Sequence, residues 1–250
     1  MVTAGAFKKS RVIVMQFDLS PFIDKRIFSR LHDAMPSAKR YFDERAPIAD
    51  DPSFGVGSNT YRAFRGIAKP SLIYRAWASD SLNDGAFLRS ISTVNSQEAF
   101  EHFHSTASES LAEHWLSKTE TPLLLAHKYK LLDLFLKLTS RLEINHTAIG
   151  QNLVTYGHVP IDSRVLGCLD SLLSGALLAT GRAMGHVRSE RAYQFYQELI
   201  RRLMAEVGEP VLYFDYFAWN LVDLDDSRQH NDISLTSDCS SPIPNFKRSY

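Results

Sequence analysis

Lys130-Leu-Leu-Asp-Leu-Phe-Leu-Lys137 is an apolar stretch with a lysine at each end, and its length and spacing predict a helix. A later stretch, Val159-Pro-Ile-Asp162-Ser-Arg164-Val165, places an aspartate at the start of a second apolar run, where it would cap another helix. Desolvation of an ammonium group is costly and lowers its pKa, which is also how a lysine becomes a nucleophile at neutral pH. Together the two stretches predict a lysine and a carboxylate that act as a pair.

Each residue of this pair also has an ordinary structural explanation. A lysine at the edge of an apolar stripe commonly extends its ammonium group to water, so Lys130 alone indicates little. Asp162 alone reads as a helix cap. Capping and catalysis are compatible, because both require a fixed carboxylate at that end of the helix.

The composition limits the classes of protein that need to be considered. The 250 residues include 28 basic and 28 acidic side chains, so binding of nucleic acid would need a local basic patch. The two cysteines, Cys168 and Cys239, are expected to be unpaired, as in a reducing compartment. No segment reads as a signal peptide or as a membrane span, so we expect a soluble cytoplasmic protein without a membrane partner.

Helical spacing dominates the first half of the chain, and the fold is expected to be mostly α. Residues 11–17 predict a short strand, Ser20-Pro21 opens a helix, and residues 36–70 look irregular because they are rich in Pro, Gly, Asp and Ser. Asn95-Ser-Gln-Glu98 resembles a capping box. The helix after it is expected to bury Phe100, Phe103, Leu111 and Trp115.

In the second half, the helix carrying Lys130 is expected to begin at Thr121-Pro122 and to run to about Leu142. Residues 143–160 predict a connecting loop with room for one helical turn. Further helices are expected after Asp162, over 189–207, and from Glu209-Pro210 to Leu224. We expect an N-terminal helical part over 1–118, a catalytic helical part over 119–224 and a disordered tail over 225–250.

The order and spacing of the motifs resemble the archaeal 8-oxoguanine branch of the helix-hairpin-helix DNA glycosylases. The resemblance is carried by Lys130 with Lys137, by Pro160-Ile-Asp162-x-Arg164-Val165, and by Asp215-Tyr-Phe-Ala-Trp219. It covers roughly residues 120–222. It implies a helical bundle of that superfamily, with two helical subdomains and a cleft between them as one arrangement.

The resemblance also implies residue roles. Lys130 would attack the anomeric carbon of a flipped-out nucleotide, Asp162 would support it, and Asp215 and Trp219 would bind the extruded base. The family has a phenylalanine one turn after the lysine, where this chain has Leu134 with Phe135 beside it. Specificity for 8-oxoguanine is therefore open, and another altered base, including a bulky phage-type cytosine, is compatible with this sequence. Trp77 and Gln16 are candidate base-reading residues on side-chain chemistry alone.

Contacts to the DNA backbone are expected from local basic groups and from a hairpin-like loop over 146–158. The candidates are Lys137, Gly150, Gln151, Asn152, Gly157, Arg164 and Arg188. His102 and His104 are two positions apart on a helix and so point to different faces, which argues against a metal site there. No metal and no cofactor is expected.

The function expected from these residues is removal of a modified DNA base by a lysine, with strand cleavage by β-elimination as a step that the chemistry allows. Such an enzyme would act as a monomer in base repair or against foreign modified DNA. The alternative is a non-catalytic helical module that binds DNA or a protein, in which residues 213–219 are core and Lys130 is a surface lysine.

Overall fold

The computed structural model describes residues 18–44, 53–142, 148–177 and 184–221. Within these ranges the regular structure is helical, which confirms the expected mostly α class. The expected strand at 11–17, Gln16 and the tail at 225–250 lie outside the described residues. None of the described helices is both long and apolar enough to cross a membrane.

Nine α-helices and three short 3-10 helices follow one another through the described residues. The 3-10 helices are Ser20–Phe22, Ser58–Ala63 and Met184–His186. The α-helices are α1 Lys25–Asp43, α2 Pro70–Asn83, α3 Gly85–Ser92, α4 Gln97–Thr119, α5 Leu125–Thr139, α6 Ala148–Tyr156, α7 Ser163–Leu172, α8 Glu190–Val207 and α9, which begins at residue 213 and covers 213–221.

Helix α1 continues past Pro36 to Asp43, so the prediction of an irregular region over 36–70 is wrong for residues 36–43. Asp24 caps this helix by accepting hydrogen bonds from the backbone of Arg26 and Ile27. Apolar side chains continue at helical spacing on both sides of the proline, and they are buried: Leu31, Met35, Ala38 and Phe42. Burial of this continuous stripe outweighs the one backbone hydrogen bond that a proline removes.

The helix start predicted at Asn95-Ser-Gln-Glu98 is confirmed, but the capping residue is Ser96 and not the first residue of the expected capping box, Asn95. The Ser96 hydroxyl accepts a hydrogen bond from the backbone N–H of Ala99, and α4 follows. The four large side chains predicted to face the core from α4, Phe100, Phe103, Leu111 and Trp115, are all buried. After the short connection 120–124, in which Glu120 has a left-handed backbone, α5 packs against α4.

The expected loop at 143–160 is wrong over residues 148–156, which form helix α6, while residues 157–160 do connect two helices and residues 143–147 lie outside the described residues. Two apolar side chains of α6, Leu153 and Val154, are buried, and this burial favours the helix. Helix α6 ends at Tyr156, and the backbone N–H of the next residue, Gly157, donates to the carbonyl of Leu153. A β-carbon at Gly157 would lie 2.2 Å from that carbonyl oxygen, so a larger residue here would force the backbone to shift.

The buried apolar side chains form two clusters. The first contains residues of α1, α7, α8 and α9 and the segment 159–161, and the second contains residues of α2, α3 and α4. Helix α5 contributes to both, with Tyr129 in the first cluster and Leu131, Leu132, Phe135 and Leu136 in the second. Because α1 packs with the C-terminal helices, the division between the two clusters does not coincide with the boundary expected after residue 118.

Candidate functional site

The structure brings Lys130 and Asp162 together. Lys130 lies on α5 and Asp162 caps α7, and Lys130 Nζ is 3.7 Å from Asp162 Oδ2. Both side chains are largely enclosed, with 16% of the lysine and 11% of the aspartate exposed. This pair was predicted from two separate local motifs, and the fold places them side by side.

The two carboxylate oxygens of Asp162 have different partners. Oδ1 accepts hydrogen bonds from the backbone N–H groups of Arg164, at 2.9 Å, and Val165, at 3.0 Å. Oδ2 is the oxygen that faces Lys130. The helix cap therefore fixes the orientation of the carboxylate, and the second oxygen is left to act on the lysine.

The contact between Lys130 and Asp162 is an ion pair and not a direct hydrogen bond, since 3.7 Å exceeds the usual N–H···O range of about 2.7–3.2 Å. A small group that approaches the Lys130 ammonium therefore does not have to displace a tight hydrogen bond to Asp162. An enclosed lysine, a fixed carboxylate and a short gap between them suit the stabilisation of positive charge on a bound molecule.

A second buried ion pair joins α5 to α9. Lys137 Nζ contacts Asp215 Oδ2, and Asp215 is only 1% exposed. Burial raises the pKa of Asp215 and the adjacent Lys137 opposes that rise, with smaller effects from Asp162 and Lys130. Burial would lower the pKa of Lys137, but the charge of Asp215, the Tyr41 phenol and the hydrogen bond to Asp215 together outweigh this and raise it.

This second pair changes the expected roles of its members. Lys137 was expected to contact the DNA backbone and Asp215 to bind the base, but each has the other as its partner. The Lys137 ammonium also lies 5.6 Å from the centre of the Tyr41 ring. An open surface pocket of about 200 Å³ lies beside the pair, lined by Ser37, Arg40, Tyr41, Glu44 and Tyr216.

Trp219 is placed at the surface, with 43% of the residue exposed. The guanidinium of Arg164 lies 4.3 Å from the centre of its ring and donates to its backbone carbonyl at 3.4 Å. Arg164, which lies two positions after Asp162 in the sequence, thus contacts Trp219 directly. One face of the indole is covered by a cation, and the exposed part is available to a planar group.

The other expected base-binding residues lie in or against the core. Phe135 is fully buried, and its ring packs against Trp77 at 5.1 Å and Phe87 at 5.9 Å. Trp77 is itself buried and donates to the Ser110 hydroxyl. Leu134 is partly buried against the second cluster. These positions do not support base stacking by Phe135 or base reading by Trp77.

The residues expected to hold DNA phosphate through a hairpin loop lie elsewhere. Gly150, Gln151 and Asn152 are inside α6, which begins at Ala148, and they are not part of a hairpin loop. Gly157 is buried in the segment that joins α6 to α7. Arg188 is exposed, and its side chain donates to the carbonyl of Gly185. Within the described part of the expected loop over 146–158, residues 148–156 form a helix and residues 157 and 158 begin the buried connection 157–162.

The sequence reasoning missed a buried polar network beside this site. Asp133 is fully buried on α5, with its oxygens 2.8 Å from His104 Nε2 and 2.7 Å from the Tyr193 hydroxyl. The same hydroxyl is 2.9 Å from Nδ1 of His158. The available signal was Asp133 itself, because a carboxylate between leucines in an apolar helix needs buried partners.

His104, Asp133 and His158 have the side-chain types that ligate metal ions, and their ligand atoms lie within 4.8 Å of one another. Ligand atoms around a tetrahedral zinc ion are about 3.3 Å apart, given zinc–nitrogen distances of about 2.0–2.1 Å. The contact between two of these ligand atoms, His104 Nε2 and an Asp133 oxygen, is shorter than this at 2.8 Å, and the Tyr193 hydroxyl links Asp133 to His158 by hydrogen bonds. The geometry therefore fits hydrogen bonds better than a metal ion.

No family model, no curated protein and no solved structure matches this chain.

Proposed function

We propose that the protein is a DNA glycosylase that removes a flipped-out modified base by attack of Lys130. The observation that carries this proposal is the enclosed pair of Lys130 and Asp162, in which a helix cap directs one carboxylate oxygen to the lysine. The order of the motifs, which resembles that of helix-hairpin-helix glycosylases, supports the same function.

The reaction assigns one role to each residue of the pair. The Lys130 ammonium first loses a proton to water, and its Nζ then forms a bond to the anomeric carbon. The glycosidic C–N bond breaks with its electron pair passing to the base, which takes up a proton from water. Asp162 stabilises the positive charge that develops on the sugar. Loss of a proton from the nitrogen and opening of the sugar ring give a Schiff base, from which β-elimination can cleave the strand or water can release an abasic site.

Trp219 supports binding of the extruded base. Its exposed ring offers a stacking surface beside Arg164, which follows Asp162 closely in the sequence. In this proposal the pair of Lys137 and Asp215 contributes polar groups near the base, and Phe135 has no contact with it.

The test is borohydride trapping on DNA panels that contain 8-oxoguanine, uracil, alkylated bases or phage-type modified cytosines. We expect the wild-type protein to give a covalent adduct on one panel, and we expect Lys130→Gln to give neither adduct nor base release. Lys128→Gln is the matched control, because Lys128 lies over the Tyr129 ring and outside the pair. Circular dichroism of each variant verifies that it is folded.

Three outcomes count against the proposal. Full activity of Lys130→Gln would remove the lysine from the mechanism. Base release without trapping would keep a glycosylase but exclude covalent attack. A folded wild-type protein that is inactive on every panel would favour the non-catalytic binding module.

A further inference from the structure

Gln197 holds the segment that leads into Asp162. Its side-chain oxygen accepts from the backbone N–H of Val159 at 3.0 Å, and its side-chain nitrogen donates to the carbonyl of Val159 at 2.8 Å. Gln197 lies on α8 and is 1% exposed. This one side chain therefore provides hydrogen-bond partners for both the N–H and the carbonyl of Val159, three residues before Asp162.

His158, the neighbour of Val159, is held from two sides. Its Nε2 is 2.9 Å from Glu101 Oε1 on α4, and its Nδ1 is 2.9 Å from the Tyr193 hydroxyl on α8. Arg201, also on α8, donates to the same Glu101 oxygen at 3.3 Å. Residues 157–161 are all buried, so the hydrogen bonds of Val159 with Gln197 and of His158 with Tyr193 act without competition from water, while the Glu101 side chain is partly exposed.

The same chain of contacts ends on the helix that carries Lys130. The Tyr193 hydroxyl donates to Asp133 Oδ2, and Asp133 is three residues after Lys130 on α5. Tyr129, which precedes Lys130, stacks on the Tyr193 ring with centroids 4.2 Å apart and donates to Glu190 at the start of α8. Helix α8 is thus tied to both sides of the Lys130 turn and to the segment before Asp162.

We infer that Tyr193 and Gln197 are positioning residues that set the separation of Lys130 and Asp162. The inference rests on the proposed function where it concerns catalysis. Neither residue is assigned a contact with substrate; each acts by fixing the backbone from which one member of the pair extends. A small displacement of reacting groups is enough to lower a rate by about 100-fold.

The first measurement is independent of enzyme activity. Lys130 is labelled with a trace of acetic anhydride over a range of pH, and its reactivity is compared in wild type, Tyr193→Phe and Gln197→Glu. Tyr193→Phe removes only the shared hydroxyl, and Gln197→Glu replaces the N–H donor to Val159 by a carboxylate oxygen. We expect the labelling rate of Lys130 to change at least threefold in both variants.

Ser110→Ala is the matched control, since it also deletes a hydroxyl from a hydrogen bond between helices, here the one that Trp77 Nε1 of α2 donates to Ser110 of α4 at 3.2 Å. It should leave the reactivity of Lys130 unchanged. Melting curves set a common temperature at which every variant is folded. If both variants label Lys130 at the wild-type rate, or if Ser110→Ala changes the rate equally, the inference is overturned.

The second measurement uses a DNA on which the wild-type protein gives a trapped adduct. We expect Tyr193→Phe to lower the single-turnover rate of base release about tenfold or more, with KM for the DNA changed less than twofold. In an Asp162→Asn background the same change should have little further effect, because the two residues act through one geometry. An unchanged rate, or fully additive effects, would contradict the inference.

The two measurements separate the two failures. If no DNA is a substrate while the labelling of Lys130 responds to Tyr193→Phe, the proposed function is wrong and the positioning role holds. If base release is found and neither variant affects labelling or rate, the function holds and the network serves stability alone.

Discussion

At the scale of single residues, Asp162 combines two roles that substitution can separate. One oxygen caps α7 and the other faces Lys130. Asn is as good a cap as Asp but carries no charge. We predict that Asp162→Asn keeps the melting temperature close to wild type and lowers base release by about 100-fold or more, which single-turnover kinetics would measure.

Asp162→Ala is the companion variant, because it removes the cap and the charge together. We predict the same loss of activity and, in addition, a loss of about 1 kcal/mol in the free energy of unfolding, measured by urea titration. If Asp162→Asn is as unstable as Asp162→Ala, the cap does not act as described. If Asp162→Asn is fully active, the charge has no role in the reaction.

The pair itself could be predicted from sequence because each member lies in a local pattern. Lys130 interrupts an apolar helix, and Asp162 precedes an apolar run. The network around them could not be predicted in this way. His104 is 29 positions from Asp133, His158 is 35 positions from Tyr193, and Tyr193 is 60 positions from Asp133. No periodicity connects side chains at such separations.

At the scale of helices, the ion pair of Lys137 and Asp215 fixes α9 on α5. Removal of Lys137 leaves a buried carboxylate without its main partner, at a cost of about 3–5 kcal/mol. We predict this loss for Lys137→Met in urea unfolding, with more than half of it recovered in Lys137→Met/Asp215→Asn. Additive effects of the two substitutions would show that the pair is not coupled.

The acid dependence of Lys137→Met follows from the same burial. Burial raises the pKa of Asp215, and without Lys137 little opposes it. A carboxyl group whose folded pKa is above its unfolded value is stabilised in its neutral form. The variant should therefore gain stability, relative to wild type, as the pH falls from 7 to 5. A constant difference between the two proteins over this range would argue against a buried charge.

Gly157 decides where α6 ends and where the segment toward Asp162 begins. A β-carbon there would meet the carbonyl oxygen of Leu153 at 2.2 Å and the side chain of Leu212 at 3.4 Å. We predict that Gly157→Ala lowers the free energy of unfolding by about 1–3 kcal/mol in urea titration. Gly185→Ala is the control, since nothing lies within 4 Å of its added carbon. Equal stability of the two variants would contradict the steric argument.

Sequence patterns predicted helices well where a cap and an apolar stripe coincide, as at Ser96 and Asp162. They were less informative where residues typical of loops lie on a buried stripe. Pro36 lies inside α1, and Gly150 lies inside α6. In both cases, burial of neighbouring apolar side chains outweighs the local preference, and that burial depends on helices distant in sequence.

At the scale of the whole molecule, the polar network lies between the two apolar clusters. The His104 ring contacts Phe100 of the second cluster and Tyr129 and Tyr193 of the first. Polar contacts at such a boundary allow only one relative placement of the helices that carry them. The same placement sets Lys130 of α5 opposite Asp162 of α7, so the arrangement of the cores and the geometry of the site depend on one set of contacts.

Glu101 makes this boundary sensitive to acid. Burial would raise the pKa of its carboxyl, but the hydrogen bond and charge of His158, with Gln97 and Arg201, lower it to about 2 from an ordinary value of 4.5. A carboxyl whose folded pKa is depressed contributes stability above its unfolded pKa, and this contribution is lost as the pH falls from about 4.5 to about 2.

We predict that Glu101→Gln lowers the melting temperature at pH 6 and that its difference from wild type shrinks progressively below pH 4.5. Glu113→Gln, on the same helix and without a shared hydrogen bond, is the control. A difference that stays constant down to pH 2.5 would show that the Glu101 charge does not hold the two clusters together.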